Sequence, residues 1–186
     1  MKTFHEHYHM ILDELLLACD AIDEDDAQKL VGKIVAAEQV FLIGVGRVMI
    51  SLMAFCKRLN HIGVRAYCVG DLSEPAITGN DLLIVASGSG ETAVPLQIAC
   101  LAKRFNASVA HIGSNNQSTM KRYTDLFIRI PVKTKLNKTD ELPSAQAMSS
   151  LFEQALYLFC DSVCLMIIAE KGLDMGNLWR LHANLE

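Results

Sequence analysis

The sequence lacks the features of several broad classes of protein. Its six cysteines include no C-x-x-C pair and lie mostly in apolar segments, as expected of reduced core residues in a cytoplasmic protein. The formal net charge of −4 argues against a nucleic-acid partner, because phosphate backbones bind basic surfaces. No apolar run reaches the length of a bilayer span, and the first residues contain no signal-peptide core. We therefore expect a cytoplasmic protein with neither a membrane nor a nucleic-acid partner.

The signatures of nucleotide binding and of serine hydrolases are missing as well. The turn at residues 44–47 would need a glycine in place of Met49 to form G-x-G-x-x-G, and no Gly-Lys-Ser/Thr completes a P-loop. Neither Ser87 nor Ser89 follows a glycine by two positions, as a G-x-S-x-G elbow requires. The histidines near the N-terminus have no further metal ligand close by in the sequence. We expect no metal and no other cofactor.

Short apolar runs alternate with helical periodicity from residue 39 onward, which predicts an α/β fold. Parallel strands joined by right-handed helical crossovers give a three-layer αβα, doubly wound sheet of the flavodoxin-like kind. The five predicted strands, with helical sequence after each of the first four, are residues 40–45, 65–69, 81–86, 108–112 and 126–130.

The rest of the chain is expected to complete one domain over residues 1–186. Residues 1–38 predict two helices, residues 39–131 the βα core, residues 132–147 an exposed loop near a site, and residues 148–186 a long helix and tail. The hydrophobic content of 51% and the helices outside the sheet predict a homo-oligomer.

The segment Ser-Gly-Ser-Gly-Glu-Thr at residues 87–92 lies between a predicted buried strand and a helix. Such a turn offers backbone N–H groups, small hydroxyls and a positive helix end to an anion. The alternative is an ordinary turn with a serine as N-cap. Two other turns, at residues 44–47 and 113–116, follow strands and should meet it at one edge of the sheet. Without a nucleotide motif, this pattern favours a small phosphorylated metabolite.

These three turns, with Gly-x-Gly-Arg at residues 44–47 and Ser114-Asn115 in the third, resemble the sugar isomerase (SIS) domain family. Residues 146–154 (Gln-Ala-Met-Ser-Ser-Leu-Phe-Glu-Gln) and the closing His-Ala-Asn-Leu-Glu resemble its 6-phospho-3-hexuloisomerase branch. The resemblance covers nearly the whole chain. It implies conversion of D-arabino-3-hexulose 6-phosphate to fructose 6-phosphate, in the ribulose monophosphate route, by a homotetramer with sites near its subunit interfaces.

The resemblance also implies roles for individual residues. Glu153 matches the catalytic base, although Ser150-x-x-Glu153 by itself is also a capping-box pattern. His182 and His61 are candidates for proton transfer at the substrate oxygens, and His61 could equally cap a helix C-terminus. Glu91 is expected to hold its loop rather than act as the base. The predicted substrate- and phosphate-binding residues are Gly46, Arg47, Ser87, Gly88, Ser89, Glu91, Thr92 and Ser114.

One departure from the family concerns the first turn, which is usually G-x-G-R-S-G. Here Val48 and Met49 replace the serine and the last glycine, and we expect both to put bulk where the sugar or its phosphate would lie. This leaves two alternatives open. The chain could isomerise a different sugar phosphate, or it could be a non-catalytic sugar-phosphate sensor, although no basic helix-turn-helix segment accompanies it.

Overall fold

A five-stranded, fully parallel sheet forms the centre of the computed structural model, which describes residues 3–185. The strand order is β2-β1-β3-β4-β5, which is the flavodoxin-like order, so the predicted fold class is confirmed. The strands are β1 (Val40–Ile43), β2 (Ala66–Cys68), β3 (Leu82–Ala86), β4 (Ser108–Gly113) and β5 (Leu126–Arg129).

Five α-helices surround the sheet among the described residues: α1 (Phe4–Asp20), α2 (Glu24–Ala36), α3 (Arg47–His61), α4 (Ala93–Arg104) and α5 (Ser150–Glu170). The two N-terminal helices begin at side-chain caps. Thr3 and Glu6 form a capping box at α1, and the Asp23 carboxylate accepts two backbone N–H groups at α2. Glu186, the last residue of the family-like C-terminal segment, lies outside the described residues.

Two of the predicted helical connections are wrong. Residues 69–81, between β2 and β3, contain no helix, because Gly70 adopts a positive φ and Pro75 and Gly79 interrupt the segment. Between β4 and β5 the chain forms only a 3₁₀ helix, Thr119–Tyr123, after a Ser/Asn-rich turn. A second 3₁₀ helix, Met175–Leu181, lies in the C-terminal tail.

Alternate residues of each strand face opposite layers, as the two-residue period of a strand requires. Leu42 and Ile84 face a core made with α2, α3 and α5, whereas Phe41 and Leu83 face a core made with α4. By length and composition α5 could cross a membrane, contrary to the expectation that no apolar segment is long enough. However, 61% of its apolar window is buried inside the protein, as is usual for the central helix of a globular core.

The strand order reverses between β1 and β3, because the chain leaves β1 toward β2 on one side and β3 toward β4 on the other. In sheets of this kind a crevice opens at the carboxyl ends of the two central strands. The turns at residues 44–47 and 87–92 follow these two strands, so both predicted ligand-binding turns border the crevice.

Candidate functional site

A cleft of about 540 Å³ occupies this crevice. Its walls are the turns after β1 and β3, the loop that precedes α5, and the first turn of α5. The lining residues are Val45, Gly46, Arg47, Val48, Ala86, Ser87, Gly88, Ser89, Thr92, Thr134, Lys135, Ala147, Met148, Ser149, Ser150, Phe152 and Glu153.

The turn after β3 is held by its own hydroxyls. The Gly90 N–H donates to Ser87 Oγ at 3.1 Å, and the Glu91 N–H donates to Ser89 Oγ at 3.3 Å. Thr92 Oγ1 lies 3.2 Å from Ser87 Oγ. Gly90 has φ +65°, and a Cβ there would lie 2.3 Å from the Ser118 hydroxyl, so the turn requires glycine.

Three helices begin at this cleft, and none of the three has a side-chain cap. The N-cap residues are Gly46 for α3, Thr92 for α4 and Ser149 for α5, and all three line the cleft. By contrast, α1 and α2, whose N-termini lie elsewhere, are both capped. Uncapped helix N-termini present N–H donors and partial positive charge to an anion. The alternative of an ordinary turn with a serine N-cap at α4 is therefore wrong.

Glu153 is the acidic residue of the cleft. It is 8% exposed, and its two carboxylate oxygens have different donors. The Ser149 hydroxyl donates to Oε1 at 2.9 Å, and Arg47 Nε donates to Oε2 in an ion pair. The Ser51 hydroxyl also donates to the Glu153 carbonyl oxygen at 3.1 Å, which fastens α3 to α5. Since α5 begins at Ser150, Glu153 is one residue too late for a capping box, and that interpretation is wrong.

Glu91 and Ser114 do not line the cleft. Glu91 is exposed and accepts the Thr119 N–H at 2.7 Å, and this hydrogen bond holds the pKa of its carboxyl below the usual value. Ser114 is fully buried, and its hydroxyl donates to the Val132 carbonyl oxygen at 2.8 Å. Both residues support the loops behind the cleft, and their predicted contact with substrate stays a prediction.

His61 and His182 lie together at the far end of α3. Their ring centroids are 4.8 Å apart, and Trp179 packs against His182. Because α3 runs from Arg47 to His61, the histidine pair is separated from Arg47 by about 20 Å of helix. Within one chain the structure does not bring these histidines to Glu153, and their catalytic role stays a prediction.

The altered first turn affects the cleft through one residue rather than two. Val48 and Met49 both pack against the larger core, but only Val48 also lines the cleft, as expected. The expectation that Met49 crowds the ligand is wrong, since consecutive residues of a helix point about 100° apart.

Sequence reasoning missed several residues of the site. Thr134 and Lys135 reach the cleft from the loop before α5, and Ser149 holds the carboxylate. The lysine-rich composition of that loop, already expected near a site, is the signal that could have identified Lys135. Among residues 3–185, Lys135 makes no ion pair, so its charge is available to an anionic ligand. No three His, Cys, Asp or Glu side chains converge as metal ligands in this part of the chain.

The fold and the cleft define a doubly wound α/β protein in which three uncapped helix N-termini lie next to a buried carboxylate. The chain belongs to the SIS domain family, whose sequence model matches residues 33–158. It is 38% identical over 186 residues to a 3-hexulose-6-phosphate isomerase of Bacillus subtilis, with 100% of both chains covered. It is 33% identical to that of Mycobacterium gastri over 177 residues, covering 95% of this chain and 88% of the relative.

A solved structure shows the same fold. It is that of a Methanococcus jannaschii protein with an inferred molecular function of 3-hexulose-6-phosphate isomerase. The TM-score is 0.83 at 29% sequence identity, and the alignment covers 97% of this chain and 99% of the other.

Proposed function

We propose that this protein is a cytoplasmic phosphosugar isomerase that converts D-arabino-3-hexulose 6-phosphate to fructose 6-phosphate. The observation that carries the proposal is a single cleft in which an anion cradle faces Glu153, a buried carboxylate held by Arg47 and Ser149. The relatives named 3-hexulose-6-phosphate isomerase support the choice of substrate. The reaction would be the second step of formaldehyde fixation by the ribulose monophosphate route.

The phosphate group would bind the turn after β3. The backbone N–H groups of Gly88 and Ser89 donate no hydrogen bond within residues 3–185, so both are available to phosphate oxygens. The hydroxyls of Ser87, Ser89 and Thr92 and the uncapped start of α4 add further donors. Lys135 would balance part of the phosphate charge from the opposite wall.

The carboxylate of Glu153 would act as the base. It takes the proton from C2 of the 3-ketose, and the resulting enediolate carries the negative charge on its oxygens. The hydroxyl proton of O2 then moves to O3, and the Glu153 carboxyl group returns its proton to C3, which leaves the carbonyl at C2. Phe152 and the buried start of α5 keep the carboxylate largely away from water, which strengthens its interaction with the developing charge. Arg47 pairs with Glu153 and is near enough to neutralise the enediolate. This scheme needs no metal ion.

The variant Glu153→Gln tests this assignment. The amide keeps the size of the side chain but cannot accept the proton, so we expect turnover to fall at least ~1,000-fold. Glu170→Gln, at the exposed end of α5, is the matched control and should leave turnover unchanged. Fructose 6-phosphate formation would be followed by NMR with a chelator present. Equal activity of Glu153→Gln and wild type would refute the mechanism.

We also infer a homo-oligomer, by family resemblance a tetramer, with the site close to a subunit interface. A groove of about 510 Å³ between α1, α3 and α5 contains both Arg47 and Glu153, so a second copy in this groove would border the active cleft. Its exposed apolar residues suit such a partner, and they include Leu12, Ile50, Tyr157 and Leu158. A light-scattering mass of one chain at micromolar concentration would contradict this.

If His61 or His182 transfers protons at the substrate oxygens, the neighbouring subunit has to supply it, because about 20 Å of α3 separates the pair from Arg47 in its own chain. Mixing the inactive variants Glu153→Gln and His182→Ala and letting them exchange subunits tests this. Recovery of activity supports shared sites, because some mixed sites then contain both native residues. No recovery after verified exchange would count against it.

A non-catalytic sugar-phosphate sensor is the second candidate, and Val48 is the observation that favours it, because its side chain narrows the cleft at the first turn. An isomerase for a smaller sugar phosphate would be favoured by the same side chain. Calorimetry that detects phosphosugar binding, with no exchange of substrate protons into D₂O by NMR for any C5 or C6 ketose phosphate, would support the sensor over either enzyme.

A further inference from the structure

Behind the turn after β3 lies a histidine that the proposed chemistry does not use. His111 is on β4 and is 1% exposed, and its Nε2 lies 3.0 Å from the Ser87 carbonyl oxygen. A carbonyl oxygen can only accept a hydrogen bond, so Nε2 carries the proton and donates it. Burial lowers the pKa of His111 to about 4, so at neutral pH the ring is neutral and has a single N–H.

The glycine beyond His111 allows this contact. A Cβ on Gly113 would lie 2.5 Å from His111 Nε2 and 2.7 Å from the Ser87 carbonyl oxygen. Both distances are far below van der Waals contact, so any larger residue at position 113 would separate the ring from the carbonyl. The backbone of Gly113 does not have a positive φ, and close packing is therefore the reason for glycine at this position.

The carbonyl groups of three successive turn residues all accept hydrogen bonds from the β4 side. The Ser87 carbonyl accepts from His111 at 3.0 Å and, within the turn, from the Gly90 N–H at 3.1 Å. The Gly88 carbonyl accepts the N–H groups of Ser114 and Asn115 at 3.0 and 3.1 Å. The Ser89 carbonyl accepts from Asn115 Nδ2 at 3.1 Å. His111 and Asn115 therefore supply the side-chain contacts to this row of carbonyl groups.

Because the peptide group is planar and trans, the direction of each of these carbonyl groups also fixes the direction of the N–H group that follows it. In such a peptide the C=O of one residue and the N–H of the next point in opposite directions. When His111 holds the Ser87 carbonyl toward β4, the Gly88 N–H points away from β4. In the same way, the Gly88 carbonyl is held toward β4 by two backbone N–H groups, so the Ser89 N–H points away from β4. Within the described residues, the N–H groups of Gly88 and Ser89 donate no hydrogen bond, and in this turn they share that property with Thr92.

We propose that His111 is a positioning residue for phosphate binding: its ring donates to the Ser87 carbonyl from behind the turn and thereby aims the Gly88 N–H at the ligand. The inference rests on the proposed function only in taking phosphate as the ligand of the cradle. It predicts that loss of the donor weakens phosphate binding while leaving the chemistry at Glu153 unchanged.

The central test compares His111→Phe with His111→Gln. Phenylalanine keeps a ring but has no donor, whereas the glutamine amide can still donate to the carbonyl. For His111→Phe we expect the dissociation constant of inorganic phosphate and the KM of the sugar phosphate each to rise about tenfold, with kcat within about threefold of wild type. His111→Gln should stay within about threefold of wild type in all three quantities.

Phe127→Leu is the matched control for general damage. Its ring packs 5.1 Å from the His111 ring but does not line the cleft, so the variant should lose stability without losing phosphate affinity. Unchanged phosphate affinity in His111→Phe, or a fall in kcat with KM unchanged, would overturn the proposal. An equal loss of affinity in Phe127→Leu would overturn it too.

One measurement needs no variant and covers the case in which His111→Phe does not fold. Long-range ¹H–¹⁵N NMR of the wild-type protein reports which ring nitrogen of His111 carries the proton. The Nε2–H form is expected, and the Nδ1–H form would overturn the proposal because Nε2 could not then donate.

The wild-type protein separates this proposal from the proposed function. If it binds inorganic phosphate but does not isomerise the hexulose phosphate, the isomerase assignment fails, and the phosphate affinities of the variants still decide the role of His111. If it binds neither inorganic phosphate nor fructose 6-phosphate, both proposals are overturned.

Discussion

The buried His111 should make the stability of this protein depend on pH in a defined window. The ring is 1% exposed, and burial lowers its pKa from 6.5 to about 4 in the folded chain. In the unfolded chain the ring has its ordinary pKa. Between these two values the unfolded chain carries a proton on His111 that the folded chain does not, so acidification favours unfolding.

The size of the effect follows from the shift. One unit of pKa corresponds to about 1.4 kcal/mol, so His111 alone should lower the free energy of unfolding by about 3 kcal/mol as pH falls from 6.5 to 4. Above pH 6.5 the ring is largely neutral in the folded and the unfolded chain, so this loss of stability is absent there. Lys121 and Asp125 line the same small cavity as the ring and are the charged groups that face it.

Urea denaturation of wild type and His111→Gln at half-unit steps from pH 7.5 to pH 4 measures this contribution. Glutamine does not titrate, and the carboxylates that also respond to acid are common to both proteins. The difference in unfolding free energy between the two should therefore fall by about 3 kcal/mol toward pH 4. Parallel pH profiles would show that the ring is solvated or already charged, and the argument from burial would be refuted.

Three further predictions concern the turn, the ion pair and the cysteines. Gly90→Ala should destabilise the protein by about 2 kcal/mol or more and abolish phosphate binding, because of its positive φ and the nearby Ser118 hydroxyl. Gly32→Ala, on an open face of α2, should instead stabilise the protein by about 0.5 to 1 kcal/mol. Thermal denaturation compares the two variants, and an equal change of the midpoint temperature would contradict both expectations. Arg47→Lys should change the unfolding free energy by less than about 1 kcal/mol, since the Arg47 side chain is largely exposed. It should lower kcat about tenfold, because lysine has no Nε donor for the Glu153 carboxylate. An unchanged kcat would mean that Arg47 does not act on the reaction. Burial raises the pKa of Cys164 to about 12 and that of Cys160 well above its usual value. Neither thiol should therefore react with an alkylating reagent at pH 8 until the protein unfolds. Peptide mass spectrometry of the alkylated protein can check this.

The strand pattern and the turn chemistry were predictable because both are local. Strands buried on two faces read as continuous apolar runs, and a Ser/Gly turn after such a run is visible without knowledge of the fold. The connections after β2 and β4 were mispredicted because helical periodicity was assigned to segments that Gly70, Pro75 and the Ser/Asn turn keep irregular.

The role of Glu153 in α5 shows the limit of local patterns. Ser150-x-x-Glu153 matches a capping box in spacing, but the helix begins one residue earlier than that motif needs, at Ser150 rather than at Leu151. The hydroxyl of Ser149 then reaches the carboxylate instead of a backbone N–H. A shift of one residue in a helix start lies within the ordinary error of sequence-based boundaries, and here it changes the function assigned to a side chain.

The α/β class, the Ser/Gly turn at residues 87–92 and the family are readable in the sequence, because apolar periodicity and turn residues act over a few positions of the chain. Which distant groups meet depends on how the helices and strands pack. Arg47 and Glu153 are 106 positions apart and form an ion pair because α3 and α5 pack side by side. The same packing separates His61 and His182 from that pair within one chain. His111 lies behind the cradle because β4 pairs with β3 in parallel register, a long-range contact that no local pattern of residues encodes.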